Sequence, residues 1–272
     1  MAARANWKGF LKLGELGCPV ALYTAASTSE RIGFHLLNRK TGHRLHRQYV
    51  DAETGRPVER EDQVKGYELG EGEYIQLDPD EVAAAVPESD KTLDIEGFLA
   101  CAEVDLLYFD RPYYLAPADK VAVESFALIR DAMRKAGVVA IAHTVLFRRL
   151  RTVLIRAHED GLIATTLHFD YEVRSAATSF RGIPKQKAEG EMIDLARHII
   201  ETKRGTFDPS AFHDRYEAAL ADLVKAKQEG RKLPRRKAPP KTAKGDDLLE
   251  ALRKSAANTS QPPKVRPRRK AG

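Results

Sequence analysis

The sequence predicts a mixed β + α protein made of a strand-rich body (residues 1–180), a helical arm (181–230) and a disordered basic tail (231–272). Three observations support this prediction. Short apolar runs bounded by Gly, Pro or Ser fill the first half of the chain. After Arg174 the apolar residues recur at helical spacing instead. Beyond Gly230 the chain has six prolines and no aromatic residue, so it cannot bury enough apolar surface to order itself.

The first part of the body reads as a series of short strands. Alternating or clustered apolar residues predict strands at 7–13, 19–24, 31–37, 44–50, 73–77 and 92–98. The glycine-containing segment 66–74 is interpreted as a turn, because acidic residues line it and would repel a phosphate. A short helix is expected at 78–86.

The second part of the body contains the strongest strand patterns and one helix. Strands are predicted at 106–116, with Pro112 breaking the run, and at 138–147, 152–158 and 162–169. Asp160 and Gly161 are typical of a hairpin turn between the last two strands. Ala122, Phe126, Ile129 and Met133 recur at helical spacing over residues 120–136, and Gly137 is expected to end this helix.

Two amphipathic stripes predict the helical arm, and no internal repeat is visible. Met192, Leu195, Ile199 and Ile200 form the first stripe, which Gly205 should end. Asp208 and Pro209 are expected to cap and start a second helix, whose stripe runs to Gly230. In the tail, residues 246–256 could form a short amphipathic helix against a partner.

The positive charge is concentrated in the tail. The whole chain carries a net charge of +6, with an isoelectric point near 9.2. Residues 231–272 contain 14 Lys and Arg against 3 Asp and Glu, so the other 230 residues hold 31 basic and 36 acidic side chains. A polyanion would therefore bind the body only if its basic side chains share one face.

Cysteine usage and hydropathy indicate a cytoplasmic protein that is not in a membrane. Cys18 and Cys101 stand far apart and are expected to be reduced, buried thiols. No apolar run approaches the ~18 residues of a membrane span, and the N-terminus has no secretory signal. His35, His43 and His46 lack the convergent partners of a metal site, so no metal is predicted.

Known catalytic signatures are missing from the sequence. It has no G-x-x-x-x-G-K-[ST], H-E-x-x-H or G-x-S-x-G motif, and no Lys-x-Asp-Gly nucleotidyltransferase centre. We therefore predict that the chain is not an enzyme, with an enzyme of scattered catalytic groups as a weaker interpretation. The aromatic residues of 108–114 are interpreted as packing around a bent strand rather than as a base-stacking platform.

Two basic clusters in the body are candidates for binding phosphate. Arg39, Lys40, Arg44 and Arg47 surround a glycine turn with no acidic residue among them. Arg148, Arg149 and Arg151 lie between two predicted strands. Arginines on hairpins reach phosphate oxygens without reading bases. The alternative for each cluster is a solvated surface loop.

Eight short motifs follow one another in a fixed order along the chain. They are WKG at 7–9, PVALY at 19–23, FH at 34–35, VKGYE at 64–68, YFDRPYYLAP at 108–117, VAIA at 139–142, DG at 160–161 and FHDRYEAAL at 212–220. Each motif is short, but their order and spacing over 7–230 are specific. Together they resemble the bacterial Ku family, DNA end-binding proteins of non-homologous end joining. The tail lies outside the resemblance.

The resemblance implies a β-barrel core with a protruding bridge and a C-terminal helical arm. It further implies a homodimeric ring through which a double-stranded DNA end threads. It implies no catalysis and no cofactor, and recruitment of the bacterial end-joining ATP-dependent DNA ligase. A ring needs positive charge only on its lining, which would reconcile a net-acidic body with DNA binding. The protein is expected to work at the nucleoid.

On this basis the DNA-binding residues are predicted to be Arg39, Lys40, Arg44, Arg47, Lys65, Arg148, Arg149 and Arg151 in the body, and Arg235, Arg236, Lys237, Arg268, Arg269 and Lys270 in the tail. Two departures from the family stand out. Residues 47–57 lack the cysteine pair of some relatives, and Phe147 stands where relatives often have a basic residue. The rival hypothesis is a general basic-tailed DNA- or RNA-binding protein without end preference.

Overall fold

The structure, a computed structural model, describes residues 4–85, 91–187 and 189–231, and Arg253. The chain divides into two compact units, Met1–Ser179 and Phe180–Gly272. The predicted disordered tail, its six candidate DNA-binding residues included, lies outside the described residues, apart from Arg231 and Arg253. The domain limits predicted at residues 180 and 230 remain predictions.

The first unit contains a closed barrel of seven strands. The elements of this unit are β1 (Trp7–Leu13), β2 (Leu16–Thr24), β3 (Lys65–Gly70), β4 (Glu73–Leu77), α1 (Pro79–Ala84), β5 (Thr92–Leu99), β6 (Phe109–Pro117), α2 (Val123–Ala136), β7 (Val139–Leu146), β8 (Arg149–His158), β9 (Gly161–Leu167) and α3 (Ala176–Ser179). The barrel order is β1-β2-β6-β9-β8-β7-β5, and a parallel pairing of β1 with β5 closes it. The predicted β-barrel core is thus confirmed.

The apolar alternation of the strands fills the barrel. On β7, Ala140, Ala142 and Leu146 face the same interior cluster as Val153 and Ile155 of β8. Residues of opposite parity face outward, where Val139, Leu154 and Leu167 form a second, smaller cluster. Because side chains alternate across a strand, one sequence pattern thus serves both the interior and the outer surface.

Helix α2 covers one end of the barrel. Phe126, Ile129 and Met133 are buried in the interior cluster, and Gly137 ends the helix in the left-handed conformation at φ +68°. Arg130 Nη1 donates to the carbonyl of Asp160 at 2.7 Å, which ties the helix to the β8–β9 turn. We call this the closed end, and the opposite end, where β7 turns into β8, the open end.

The segment between β2 and β5 is largely exposed, and it includes two predicted strands that are wrong. Residues 31–37 and 44–50 form no strands; Leu37 and Arg44, and Val50 and Pro57, are paired only as isolated bridges. Their apolar side chains, such as Phe34, have no sheet to bury them. The segment predicted as a turn at 66–74 is instead the β3–β4 hairpin, which turns at Glu71 and Gly72.

This segment contains a turn that occurs twice, although no repeat was visible in the sequence. In the first copy Gly42 N donates to Asn38 O, and Asn38 N donates to His43 O, each at 2.8 Å. In the second, Gly55 N donates to Asp51 O at 2.9 Å and Asp51 N donates to Arg56 O at 2.8 Å. Both glycines have positive φ. The shared pattern, an apolar residue, Asn or Asp, two variable residues and Thr-Gly, is too short to stand out in sequence.

Within the body, two smaller predictions also need correction. The β8–β9 hairpin turns at Glu159 and Asp160, one residue before the predicted pair, because Gly161 already pairs with His158. Pro112 does not end its strand: β6 runs through it, with a shift in register between Phe109 and Pro112.

The second unit contains the two predicted arm helices, α4 (Gly190–Thr202) and α5 (Arg215–Gln228). The predicted start of α5 is wrong. Asp208 caps only a short 3-10 turn, whereas the Asp214 carboxylate accepts from the amides of Tyr216 and Glu217 and starts the helix. The predicted helix at 246–256 lies outside the described residues except for Arg253, which donates to Glu191 Oε1 at 2.6 Å.

Candidate nucleic-acid interface

The β7–β8 turn at the open end has a strained backbone. Leu146 pairs with Arg149, which leaves a two-residue loop of Phe147 and Arg148. Both loop residues have positive φ, +53° and +65°. Such a loop normally takes Asn-Gly or Gly-Gly, because larger residues are costly in the left-handed region. Strain of this kind accumulates at functional sites, so the two side chains are candidates for function.

A cavity beside this turn brings together basic residues that are distant in sequence. Its volume is about 300 Å³, and it is lined by Lys65, Val82, Ala83, Phe147, Arg148 and Arg149. Lys65 begins β3 in the exposed segment, whereas the two arginines belong to the barrel turn. Three of the predicted DNA-binding residues therefore surround one cavity, which we call the Lys65 cavity.

Two further cavities adjoin Phe147 at the open end. The Asn6 cavity, of about 530 Å³, is lined by Asn6, Thr24, Ala26, Thr28, Arg111, Pro112, Tyr113 and Phe147. The Asp110 cavity, of about 180 Å³, is lined by Asp110, Arg111, Tyr113, Leu146, Phe147, Arg151 and Thr166. The three linings together hold five basic residues and one acidic residue, so the lining of these cavities is positive although the body is net acidic.

Arg111 is a candidate that the sequence reasoning missed. It lines two of the cavities, and its side chain is 77% exposed. Its Nε lies 3.8 Å from Asp110 Oδ1, a weak contact, and Asp110 also accepts from Thr166 Oγ1 at 3.0 Å. The signal was present in the motif YFDRPYY, but the aromatic residues around Arg111 were interpreted as packing alone.

Arg151, on strand β8, also lies at the open end. It is half-buried and lines the Asp110 cavity. The pKa of Glu172 is lowered, first by a hydrogen bond from the amide of Phe169, then by His168 and by the charge of Arg151. Glu172 thus stays ionised near Arg151 and offsets part of its positive charge.

The other predicted contacts lie along the exposed segment. Arg39 and Lys40 occupy the tip of the first repeated turn, Arg44 pairs with Leu37, and Arg47 follows. All four are exposed, and they line none of the three cavities. The open end and the exposed segment are therefore two separate sets of candidate phosphate contacts on the first unit.

An aromatic pair lies at the centre of the open end. Tyr113 is buried, with its ring centroid 6.3 Å from that of Phe147 and the planes inclined by 37°. Phe147 is 63% exposed and lines all three cavities. The packing interpretation suits Tyr113, which belongs to the barrel core, but it leaves Phe147 unexplained.

The two cysteines differ in their surroundings. Cys18 is buried as predicted, and its thiol, with a pKa raised by burial, donates to the carbonyl of Ala122 at 3.5 Å. Cys101 is exposed on a 3-10 turn, so its predicted burial is wrong. Across the described ranges no three His, Cys, Asp or Glu residues are placed to hold a metal ion. No helix in the part of the chain that the structure describes has the length and hydrophobicity of a membrane span.

The fold and the site define a closed β-barrel protein with a cluster of basic side chains at one end. A family model described as the Ku70/Ku80 beta-barrel domain matches residues 12–195. The chain is 60% identical to the non-homologous end joining protein Ku of Cereibacter sphaeroides, an alignment that covers 99% of each chain. It is 43% identical to the protein of the same name from Bradyrhizobium sp., over all of this chain and 93% of that one. The chain belongs to the Ku family, and the resemblance read from its motifs is confirmed.

Proposed function

We propose that this chain binds the ends of double-stranded DNA in non-homologous end joining, without reading sequence. The proposal rests on one observation: five basic residues line the cavities around a single strained turn. They are Lys65, Arg111, Arg148, Arg149 and Arg151. Guanidinium and ammonium groups on a rigid turn suit phosphate oxygens, which are the same in every sequence. The names of the relatives, non-homologous end joining protein Ku, support the same function.

We extend the proposal to a homodimeric ring that threads the DNA end. The exposed segment between β2 and β5 has large apolar side chains on its surface, with Leu36, Tyr49 and Tyr67 among those more than 60% exposed. Exposed apolar residues in such number along one segment mark an interaction surface. A second copy of the chain would bury them and place two sets of basic residues around the DNA.

The proposal assigns no catalytic step and no cofactor to the chain. Phosphate contacts position DNA without changing a covalent bond, so the chemistry of joining must come from another protein. We propose that this partner is the bacterial end-joining ATP-dependent DNA ligase, and that the protein works at the nucleoid in the cytoplasm.

The proposed function is tested by comparing one DNA sequence in two forms. The full-length protein should bind the linear form tightly and the covalently closed circle weakly, because a closed circle offers no end to thread. Equal affinity for the linear and the closed circular form would contradict the threading proposal. The mass in solution should correspond to a dimer, which should persist on a short duplex with one blocked end.

Removal of the tail separates this proposal from a basic-tailed binder without end preference. Without residues 231–272 the protein should bind DNA more weakly, because 14 basic side chains are lost. The preference for linear over closed circular DNA should remain. If truncation abolishes binding altogether, recognition lies in the tail and the rival hypothesis is correct.

A further inference from the structure

The Asn6 cavity has the size and lining of a site for one nucleotide. Its volume of about 530 Å³ lies within the range of small-ligand sites. Its lining combines aromatic, hydroxyl, amide and guanidinium groups, contributed by Asn6, Thr24, Thr28, Arg111, Tyr113 and Phe147. It is also the largest of the three cavities at the open end.

The aromatic wall of the cavity consists of Tyr113 and Phe147. Tyr113 is buried in the barrel core and supports the ring of Phe147. Phe147 itself sits at positive φ, a conformation that costs a bulky residue free energy and therefore calls for a compensating role. Because most of its ring remains exposed, Phe147 can offer a face to a planar ligand. Stacking on such a face is tolerant of base identity, since every base has a π-face.

The polar groups of the cavity suit the remaining parts of a nucleotide. The amide N–H and the hydroxyl of Thr24 both donate to Asn6 Oδ1 at 2.9 Å, which orients the Asn6 side chain. Its NH2 group is thereby left to donate to a base or sugar oxygen. The Thr28 hydroxyl lies on the same lining, and the largely exposed Arg111 suits a phosphate.

A nucleotide inside the duplex cannot use this site, and one of a terminal pair would have to separate from its partner to enter the cavity. Inside a duplex each base face is covered by its neighbours, so an aromatic ring in a concave cavity reaches only a base outside the stack. Such bases occur where a DNA end carries a single-stranded overhang. The adjoining Asp110 cavity adds Arg151 beside Arg111, where the next phosphate of the same strand would lie.

We propose that the Asn6 cavity binds one unpaired nucleotide of an overhang, with its base on Phe147 and its phosphate at Arg111. This inference rests on the proposed end-binding function and adds a preference among ends. The duplex itself is held by the basic residues of the Lys65 cavity and the exposed segment.

The test uses the full-length protein and duplexes that are blocked at one end. The free end is either blunt or carries a short overhang with 2-aminopurine at an unpaired position. We expect tighter binding of the overhang by about tenfold, the size of one stacked base, with a change in 2-aminopurine emission on binding. Phe147→Ala should bring the ratio of overhang affinity to blunt-end affinity close to one and remove the emission change, while Phe147→Trp should retain both effects.

Phe98→Ala is the matched control, because Phe98 is a partly exposed phenylalanine at the closed end of the same barrel. It should keep both the overhang preference and the emission change. The proposal is overturned if Phe147→Ala leaves the preference intact, or if it weakens blunt and overhang binding equally. Neither result would contradict DNA end binding. That function is tested separately, by the affinities of the wild-type protein for linear and for closed circular DNA.

Discussion

The two ends of the barrel are built from the same strands and differ in almost every property. At the closed end, helix α2 inserts Phe126, Ile129 and Met133 into the core, and the adjoining groove of about 400 Å³ has an apolar lining. Among the described residues, no helix inserts buried side chains into the core at the open end; a strained turn, five basic residues and three partly polar cavities lie there instead. The same strands thus hold the packed core at one end and the proposed DNA-binding site at the other.

The contrast teaches how a net-acidic body can attract DNA. Basic residues also occur at the closed end, but Arg130 is bound to Asp131 at 2.8 Å and to the carbonyl of Asp160. At the open end the three cavity linings hold one carboxylate, Asp110, against five basic residues, and Glu172 offsets part of the charge of one of them, Arg151. Local imbalance of charge, rather than the total, sets the potential that a phosphate meets.

The largest expected effect is on folding and lies at the closed end. Phe126→Ala should lower the free energy of unfolding by about 3–5 kcal/mol, because it empties a space in the barrel core. Urea denaturation measures this loss. Leu128→Ala, on the exposed face of the same helix, should change stability by no more than about 0.5 kcal/mol. Equal losses from both substitutions would show that α2 does not cover the core as described.

The next effect is on binding and lies at the open end. Replacing Lys65, Arg148 and Arg149 by Gln should reduce the slope of log affinity against log salt by about 2.7, since each lost phosphate contact contributes about 0.9. Binding titrations across a salt series measure the slope. The matched control replaces Lys12, Lys120 and Lys135, exposed lysines near the closed end, by Gln. If both triple variants change the slope alike, net charge and not position governs binding.

Two substitutions that relieve backbone strain, one at each end of the barrel, should have the same effect on stability but different effects on DNA binding. Arg148→Gly at the open end and Glu159→Gly at the closed end each remove a side chain from a residue at positive φ. Each should stabilise the fold by about 1 kcal/mol, measured by thermal denaturation. Only Arg148→Gly should weaken DNA binding. Unchanged DNA affinity in that variant would mean that the Arg148 side chain makes no contact with phosphate.

The smallest expected effect is a dependence on pH. The pKa of Glu172 is lowered in the folded state, so its ionised form stabilises the protein above the ordinary glutamate pKa of about 4.3. This contribution should fade as the pH falls through the lower, folded-state value. Thermal denaturation from neutral to acidic pH should show Glu172→Gln less stable than the wild type, with the difference shrinking in acid.

Asp131 provides the closed-end counterpart of Glu172. Its pKa is lowered by the hydrogen bond from Arg130, so Asp131→Asn should be less stable than the wild type at neutral pH, with the difference shrinking over a similarly acidic range. At neutral pH only Glu172→Gln should raise DNA affinity, because it removes a negative charge near Arg151. An increase in affinity for Asp131→Asn would contradict the assignment of binding to the open end.

Much of the fold could be predicted because the signals are local. Alternating apolar residues identified β1, β2, β5 and β7 to β9, and the helical spacing of Phe126, Ile129 and Met133 identified α2. The failures at 31–37 and 44–50 have the opposite cause. Those residues alternate or cluster like a strand, but in the part of the chain that the structure describes they form only isolated bridges and join no sheet. A sequence pattern does not report whether a neighbouring strand is present to pair with.

The candidate site was predictable only in part. The density of arginines marked residues 148–151, and the family resemblance pointed to Lys65. Arg111 lies within a family motif, but neither signal assigned it a contact with DNA, and neither indicated a role for Phe147. Both roles depend on which strands are neighbours. Strands β6 and β7 are separated by β9 and β8 in the barrel, yet Tyr113 and Phe147 meet at its open end.

The sequence by itself determined the strand-rich body, the helical arm, the basic tail and the membership of the Ku family. These follow from periodicity, composition and short ordered motifs, all of which are local along the chain. Only the tertiary structure decided which residues form a site. Closure of the barrel decides which turns lie together at each of its ends. The register of β7 against β8 leaves Phe147 and Arg148 in a two-residue turn. Because such pairings join distant segments, they placed Lys65, Arg111 and Arg149 around one residue, Phe147, that sequence alone left without a role.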